Sequence, residues 1–307
     1  MLPIHKLTIG HIVCAGACVI ALAGQARAET LAVRPIAAAS PLLAKPGDAA
    51  PTGPGQSSTP VAVSPSAAAP PMASTLACSA PAEFARFAYP LQHTARRIAA
   101  GETLTIVAIG SSSTAGAGAS SPAASYPSRL AVELKQRFPA LDITVLNRGV
   151  NGEETAQMMA RFATGVFAAH PDLVIWQIGT NSVMRDHPLK PHSILLHEGI
   201  AQLKEAGADV VLIDVQFAPR VLAKAETQGM EDQIALAAKE ASVDLFNRFA
   251  VMRSWHEVQH LPFEAFVAPD ELHMNDWSYA CVAKLLAAEI AEAAMRPATA
   301  AAVRSGR

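Results

Sequence analysis

The chain has 307 residues, a formal net charge of −2 and 51% hydrophobic residues, enough for one or two domains with a full core. No cluster of lysines and arginines interleaves with aromatic residues, which argues against nucleic acid as a partner. Aromatic residues make up only 5%, so the composition gives little support for a platform on which sugar rings stack.

The N-terminal region predicts export. Lys6 precedes an apolar run at 7–23, and Ala26-Arg27-Ala28 matches a cleavage site of the A-x-A type, so residues 1–28 are interpreted as a signal peptide rather than a membrane anchor. Residues 29–75 are rich in Ala, Pro, Ser and Gly without a hydrophobic period, which predicts a disordered linker. We expect a periplasmic or secreted protein, with the linker as a spacer or as a means of association with the envelope.

The remaining sequence predicts one folded domain at 76–296 and a disordered tail at 297–307. Two of the four cysteines, Cys78 and Cys281, remain after cleavage and stand near the two ends of this domain. In an oxidising compartment such a pair can form a disulfide. Two buried free thiols are the alternative, since the sequence does not show how far apart they lie.

Strand-like and helix-like runs alternate along the domain. The β-rich runs are 103–109, 142–146, 172–178, 209–215 and 243–246, and the helical runs are 82–100 with a break at Pro90, 126–138, 153–167, 192–206, 230–241 and 275–294. This alternation predicts a three-layer α/β/α sandwich around a parallel sheet of about five strands. Ligands of such sheets bind beyond the carboxyl ends of the strands, which directs attention to the loops that begin at Gly110, Asn147 and Gly179.

Ser112 follows the first predicted strand, in the turn Gly110-Ser-Ser-Ser-Thr-Ala-Gly116. A serine at this place exposes its hydroxyl, and N–H groups at the start of the next helix can face a developing oxyanion. By itself, such a serine is more often a helix cap or a turn residue. The turn lacks the third glycine of a dinucleotide fingerprint and the Gly-Lys-Ser/Thr of a P-loop, which argues against nucleotide binding.

Asp270-Glu-Leu-His273 lies in a loop before the last predicted helix. A histidine that activates a hydroxyl needs a carboxylate to fix its tautomer, and an aspartate three residues earlier can supply one. Gly152 and Asn181 follow the second and third predicted strands, where a backbone N–H and a side-chain amide are suitable oxyanion donors. Taken singly, Asp270 can be a helix cap, and Gly152 and Asn181 can be turn residues.

Together these segments resemble the four sequence blocks of SGNH (GDSL-like) hydrolases. Residues 109–116 resemble the Gly-Asp-Ser block, 147–152 the glycine block, 178–181 the asparagine block and 270–273 the Asp-x-x-His block, in the family's order. The resemblance covers about 103–294. It implies a flavodoxin-like fold and a serine esterase that needs no cofactor or metal and cleaves an acyl ester of a small molecule or a polysaccharide.

The resemblance also implies the roles of the site residues. Ser112 is then the nucleophile, His273 the base and Asp270 its orienting partner, while the N–H groups of Ser112 and Gly152 and the amide of Asn181 form the oxyanion hole. The first block departs from the family at Ser111, where an aspartate is usual. We expect this change to weaken local hydrogen bonding more than the chemistry. Because three serines stand together, Ser111 and Ser113 remain alternatives as the nucleophile.

His256-Glu-Val-Gln-His260 matches the H-E-x-x-H pattern of zinc peptidases, in which two histidines on one helix face bind the metal and the glutamate, here Glu257, is the general base. Pro262 would end such a helix almost at the second histidine, and no downstream carboxylate is marked out as a third ligand. A zinc metallopeptidase is therefore the alternative enzyme. An envelope-binding protein on a hydrolase scaffold is the alternative without catalysis.

Overall fold

The structure, a computed structural model, describes residues 76–296. The predicted signal peptide (1–28), linker (29–75) and tail (297–307) lie outside the described residues. Five strands form one parallel sheet in the order β2-β1-β3-β4-β5. They are β1 (Leu104–Gly110), β2 (Ile143–Gly149), β3 (Leu173–Gln177), β4 (Asp209–Ile213) and β5 (Asp244–Phe246). The predicted parallel α/β fold is confirmed.

Helices cover both faces of the sheet. Right-handed crossovers put the helix between β1 and β2 on one face and the helices that lead from β2 to β5 on the other. Accordingly α4 packs against α12, while α8 packs against α5 and α10. The helices are α1 (Ala82–Ala85), α2 (Gln92–Ala100), α3 (Ser112–Ala115), α4 (Tyr126–Arg137), α5 (Thr155–Ala160), α6 (Phe162–Gly165), α7 (Thr180–Met184), α8 (Leu189–Glu205), α9 (Pro219–Leu222), α10 (Thr227–Ala241), α11 (Arg248–Glu257) and α12 (Asp276–Met295). Within 76–296, no helix has the length and apolar character needed to cross a membrane.

The three central strands are far more buried than the edge strand β2. The central strands β1, β3 and β4 are buried along almost their whole length, because helices cover them on both faces. The edge strand β2 has no fully buried residue. The continuous apolar runs of the central strands are therefore the sequence signal that a parallel sheet produces.

One predicted helix is interrupted. Residues 153–167 form the short helices α5 and α6, followed by a 3₁₀ turn at Phe167–Ala169. The interruption falls at Arg161, whose guanidinium pairs with the Glu153 carboxylate at 2.6 Å and donates to the Arg148 carbonyl at 2.7 Å. These contacts connect the end of α5 to β2 and to the loop that follows it.

The order of the strands determines where a site can form. The chain moves outward from β1 to β2 and then crosses back to β3 on the other side of β1. Loops diverge at such a reversal and leave a crevice beyond the carboxyl ends of the strands. Gly110 of β1 pairs with Gly149 of β2, so these two strands end level with each other. The loops after β1, β2 and β3 consequently surround one crevice.

A disulfide joins Cys78 to Cys281 of α12, with a Cα–Cα distance of 5.4 Å. The bond connects residues 203 positions apart, and Cys281 is buried in the core. A cross-link that closes so long a loop removes many conformations from the unfolded chain.

Replacing both Cys78 and Cys281 with alanine lowers the free energy of unfolding by about 2–5 kcal/mol, because the unfolded chain regains the entropy that the cross-link removed. Urea titrations of the two proteins, with and without a thiol reductant, measure this difference. Reductant shifts the midpoint of the wild-type protein toward that of the variant and leaves the variant unchanged. A wild-type midpoint that is insensitive to reductant would contradict the assignment.

Candidate active site

Ser112 begins α3, the single helical turn that follows β1. The turn lies directly against β2: a Cβ on Gly149 would come within 2.1 Å of the Ala115 nitrogen, so only glycine permits this approach. Ser111 and Ser113 are 2% and 1% exposed, whereas Ser112 is partly open. Of the three neighbouring serines, Ser112 is the one whose Oγ contacts a histidine.

A hydrogen-bonded chain links Ser112, His273 and Asp270. The Oγ of Ser112 lies 2.8 Å from Nε2 of His273, and Nδ1 of the same ring lies 2.5 Å from Oδ2 of Asp270. An ionised carboxylate can only accept, so Nδ1–H donates to Asp270 and Nε2 is left to accept from the serine hydroxyl. This is the tautomer that a base for Ser112 requires.

The Asp270 carboxylate accepts three hydrogen bonds. Its Oδ1 accepts from the backbone N–H groups of Leu272 and His273 at 3.0 and 2.9 Å, and its Oδ2 accepts from the His273 ring. Partial burial alone would raise the pKa of Asp270, but these bonds outweigh it and hold the pKa below its ordinary value. Asp270 is therefore ionised at neutral pH and can stabilise an imidazolium.

Backbone hydrogen bonds hold together the two ends of the loop that carries Asp270 and His273. The N–H of Ala268 donates to the His273 carbonyl at 2.7 Å, and Val267 forms an isolated antiparallel bridge with Met274. Asn275 then caps α12, its side chain accepting from the Ser278 N–H. His273 consequently stands two residues before the cap of a long, buried helix, which limits the movement of its backbone.

The three predicted oxyanion donors follow β1, β2 and β3. Among the residues that the structure describes, the N–H groups of Ser112 and Gly152 have no hydrogen-bond partner. The Asn181 amide donates one hydrogen to the Glu153 carbonyl at 2.8 Å, which leaves its second hydrogen free. Gly152 has a φ of +80°, a conformation that residues with a side chain rarely adopt. The hydrogen bond from Asn181 to Glu153 thus joins the loop after β3 to the loop after β2.

Glu154 strengthens this junction. Its carboxylate pairs with Arg185 at 2.5 Å and His187 at 2.8 Å, and it accepts from the Ser182 hydroxyl at 3.0 Å. Burial opposes ionisation, but these partners lower the pKa of Glu154 below its ordinary value. Arg185 also donates to the Gly152 carbonyl at 2.9 Å. Neither Glu154 nor Arg185 was predicted as a site residue, because single charged residues in loops carry no periodic signal.

Ser111, where the SGNH resemblance leads one to expect an aspartate, bonds to Gln177, the last residue of β3. The N–H and the hydroxyl of Ser111 both donate to Gln177 Oε1 at 3.0 Å, and Thr114 lies within 3.4 Å of the same oxygen. Gln177 is fully buried, so these bonds are shielded from water. The one signal in the sequence that marks Gln177 is its polar side chain at the end of an otherwise apolar strand.

The H-E-x-x-H segment does not form a helical metal site. Helix α11 ends at Glu257, and His260 lies beyond it with a φ of +55°, so the two histidines do not share a helix face. His256 donates from Nδ1 to the Leu261 carbonyl and stacks on Phe263 at 4.3 Å. Within 76–296, no group of three or more His, Cys, Asp and Glu side chains is arranged to hold a metal ion.

Two cavities lie beside the loops that carry the candidate site. One, of about 490 Å³, is lined by Gly118, Phe263 and the residues on either side of Asp270, Pro269 and Glu271. Its volume lies within the range of about 300–1,000 Å³ that is usual for ligand sites. A smaller cavity of about 250 Å³, lined in part by Glu154, adjoins the loop that follows Gly152. There is space for a ligand beside both halves of the site.

The sequence model of the Non-GDSL lipase-like family matches residues 77–296. An arylesterase of Vibrio mimicus is 32% identical over 95 residues, which are 31% of this chain and 46% of that protein. The match therefore spans less than half of the arylesterase.

Solved structures share the fold. A two-domain esterase (CEX) active on acetylated mannans superposes with a TM-score of 0.61 at 22% identity, covering 70% of this chain and 57% of that one. Axe2, an acetylxylan esterase from Geobacillus stearothermophilus, superposes with a TM-score of 0.52 at 22% identity, covering 61% of this chain and 94% of that one. At these identities the likeness is one of fold.

Proposed function

Because the chain belongs to the Non-GDSL lipase-like family, we propose that it is a serine esterase of the SGNH type that cleaves acyl esters through Ser112, His273 and Asp270. The observation that carries the proposal is the hydrogen-bonded chain from the Ser112 hydroxyl through the His273 ring to the Asp270 carboxylate. The order of the four sequence blocks and the arylesterase relative support the same class of reaction.

In the first half of the reaction, Ser112 Oγ attacks the carbonyl carbon of the ester while His273 Nε2 accepts the hydroxyl proton. Asp270 stabilises the imidazolium that forms. The negative charge that develops on the carbonyl oxygen is stabilised by the N–H groups of Ser112 and Gly152 and by the Asn181 amide. The tetrahedral intermediate then collapses, the bond to the alcohol oxygen breaks, and His273 gives its proton to the departing alkoxide.

In the second half, water attacks the acyl group on Ser112 and His273 accepts a proton from that water. A second tetrahedral intermediate, stabilised by the same donors, collapses to release the carboxylic acid. The proton returns from His273 to Ser112 Oγ. Every step uses side chains and backbone groups of this chain.

Hydrolysis of p-nitrophenyl acetate, p-nitrophenyl esters of longer acids, acetylated xylan and acetylated mannan tests the proposed class. The two polysaccharides are included because two solved structures with this fold are an esterase active on acetylated mannans and an acetylxylan esterase. We expect release of p-nitrophenol from at least the acetate. A pure protein that hydrolyses none of these esters would overturn the esterase proposal and favour the envelope-binding alternative.

Replacing Asn181 with alanine lowers kcat by about 10²- to 10³-fold, since one donor to the oxyanion is lost, and changes KM little. Steady-state kinetics on p-nitrophenyl acetate measure this effect. Asn247→Ala is the matched control: it removes the side-chain cap of α11, which accepts from the Ala250 N–H at 2.8 Å, and we expect it to affect stability rather than kcat. An equal kcat in the two variants would contradict the role of Asn181.

A further inference from the structure

A buried glutamine connects the two halves of the candidate site. Gln216 lies in the segment between β4 and α9 and is 1% exposed. Its Oε1 accepts from the Thr180 hydroxyl at 2.9 Å and from the Arg248 guanidinium at 3.0 Å, and its Nε2 donates to the Leu272 carbonyl at 3.2 Å. Thr180 precedes the oxyanion donor Asn181, and Leu272 precedes His273.

The bond to Leu272 acts on the peptide group that supports Asp270. In a trans peptide, the carbonyl of one residue and the N–H of the next point in opposite directions. The carbonyl of Leu272 points to Gln216, and the N–H of His273, in the same peptide group, donates to Asp270 Oδ1 at 2.9 Å. The orientation of this peptide group therefore determines whether Asp270 keeps that bond.

We propose that Gln216 is a positioning residue of the esterase site: it holds the Leu272–His273 peptide so that Asp270 aligns the His273 ring on Ser112, and it sets this loop at a fixed distance from Thr180 and the Asn181 donor. This inference rests on the proposed function. Gln216 touches neither the substrate nor the reacting atoms, so it acts on turnover through Asp270, His273 and Asn181.

The rest of the buried network makes Gln216 a rigid support. Arg248 is 1% exposed and also donates to the carbonyl of Asp214, the residue that follows β4. Gln216 Oε1 is thus held by a charged donor from α11 and by a hydroxyl donor from α7, and its amide plane is fixed before it reaches Leu272. A side chain with three fixed hydrogen bonds can transmit position, whereas a solvated one cannot.

Two variants test the proposal. Gln216→Met removes all three hydrogen bonds at similar volume. Gln216→Asn keeps a polar amide in the buried site and therefore disturbs folding less. Its side chain is one methylene shorter and cannot reach Leu272 and Thr180 at the same time. The matched control is Thr94→Val, which alters an equally buried residue. The N–H of Thr94 donates to Asp209 at the start of β4, so this residue lies at the amino ends of the strands, opposite to the candidate site.

The measurements are kcat and KM on p-nitrophenyl acetate and the low-field NMR resonance of the His273 Nδ1 proton. In both Gln216 variants we expect kcat to fall by about 10- to 100-fold with KM unchanged, because displaced catalytic groups slow the chemical step. The Nδ1 resonance shifts or broadens as the bond to Asp270 loosens. In Thr94→Val, neither kcat nor the resonance changes.

A folded Gln216 variant that keeps wild-type kcat would overturn the proposal, and so would a loss of kcat with an unchanged Nδ1 resonance. If Gln216→Met does not fold, Gln216→Asn alone decides. A wild-type protein without esterase activity would defeat the proposed function, and the Nδ1 resonance would still decide whether Gln216 holds the Asp270–His273 pair.

Discussion

Replacement of Ser112 with alanine lowers kcat for ester hydrolysis by about 10⁶-fold, because no acyl-enzyme can form without the nucleophile. We expect the variant to keep the wild-type fold, because Ser112 is the first residue of the turn and Ala115 still packs on Gly149. Hydrolysis of p-nitrophenyl acetate by the purified variant measures the loss.

The neighbouring serines supply the controls for this result. Ser113→Ala alters a buried hydroxyl in the same turn, and Ser111→Ala removes one of the hydrogen bonds to Gln177. Both variants retain most of the activity, because neither hydroxyl belongs to the chain that leads to His273. If Ser112→Ala stays active and Ser111→Ala or Ser113→Ala is inactive, the nucleophile is that neighbouring serine and not Ser112.

Replacement of Asp270 with asparagine lowers kcat by about 10⁴-fold. An amide can donate a hydrogen toward His273 Nδ1, which favours the tautomer with the proton on Nε2, and that nitrogen then cannot accept the proton of Ser112. The matched control is Asp142→Asn, which makes the same change at an exposed aspartate just before β2, at the opposite end of the strands from the candidate site. Equal kcat values in the two variants would contradict the role of Asp270.

The pKa of Asp270 also limits how pH can act on the wild-type enzyme. Because its folded-state pKa is depressed, the carboxylate stays ionised as the pH falls from neutral, and the stabilisation that it provides is lost only as the pH passes through that depressed value. A decline of kcat just below neutral pH therefore does not arise from Asp270. The Asp270→Asn variant has no such titration, so comparing the two pH profiles isolates it.

The sheet and the positions of the four blocks follow from local patterns. Continuous apolar runs predict buried parallel strands, and all five predicted strands are present. The turn around Ser112 and the loop from Asp270 to His273 each stand at the end of a recognisable element. Because parallel strands in an α/β sheet point the same way, sequence order places the turn after β1 and the loops after β2 and β3 at one edge of the sheet. The loop from Asp270 to His273 does not follow a strand, and its contact with Ser112 is known only from the structure.

The supporting residues were not predictable in the same way. Gln177 and Gln216 act through hydrogen bonds to residues 66 and 56 positions away in the sequence, which no local pattern encodes. Helix α11 was not predicted either: it contains Arg248, a charged residue in a core position, and this obscures the apolar face that would mark a helix.

Covalent labelling tests the nucleophile most directly. A fluorophosphonate reacts with an activated serine. The serine oxygen bonds to phosphorus, fluoride leaves, and a stable adduct remains in place of the acyl-enzyme. We expect mass spectrometry of the digested protein to find one phosphonyl group per chain, on Ser112, and hydrolytic activity to fall in proportion to labelling. An adduct on Ser111, Ser113 or another residue, or full activity in a labelled protein, would contradict the account.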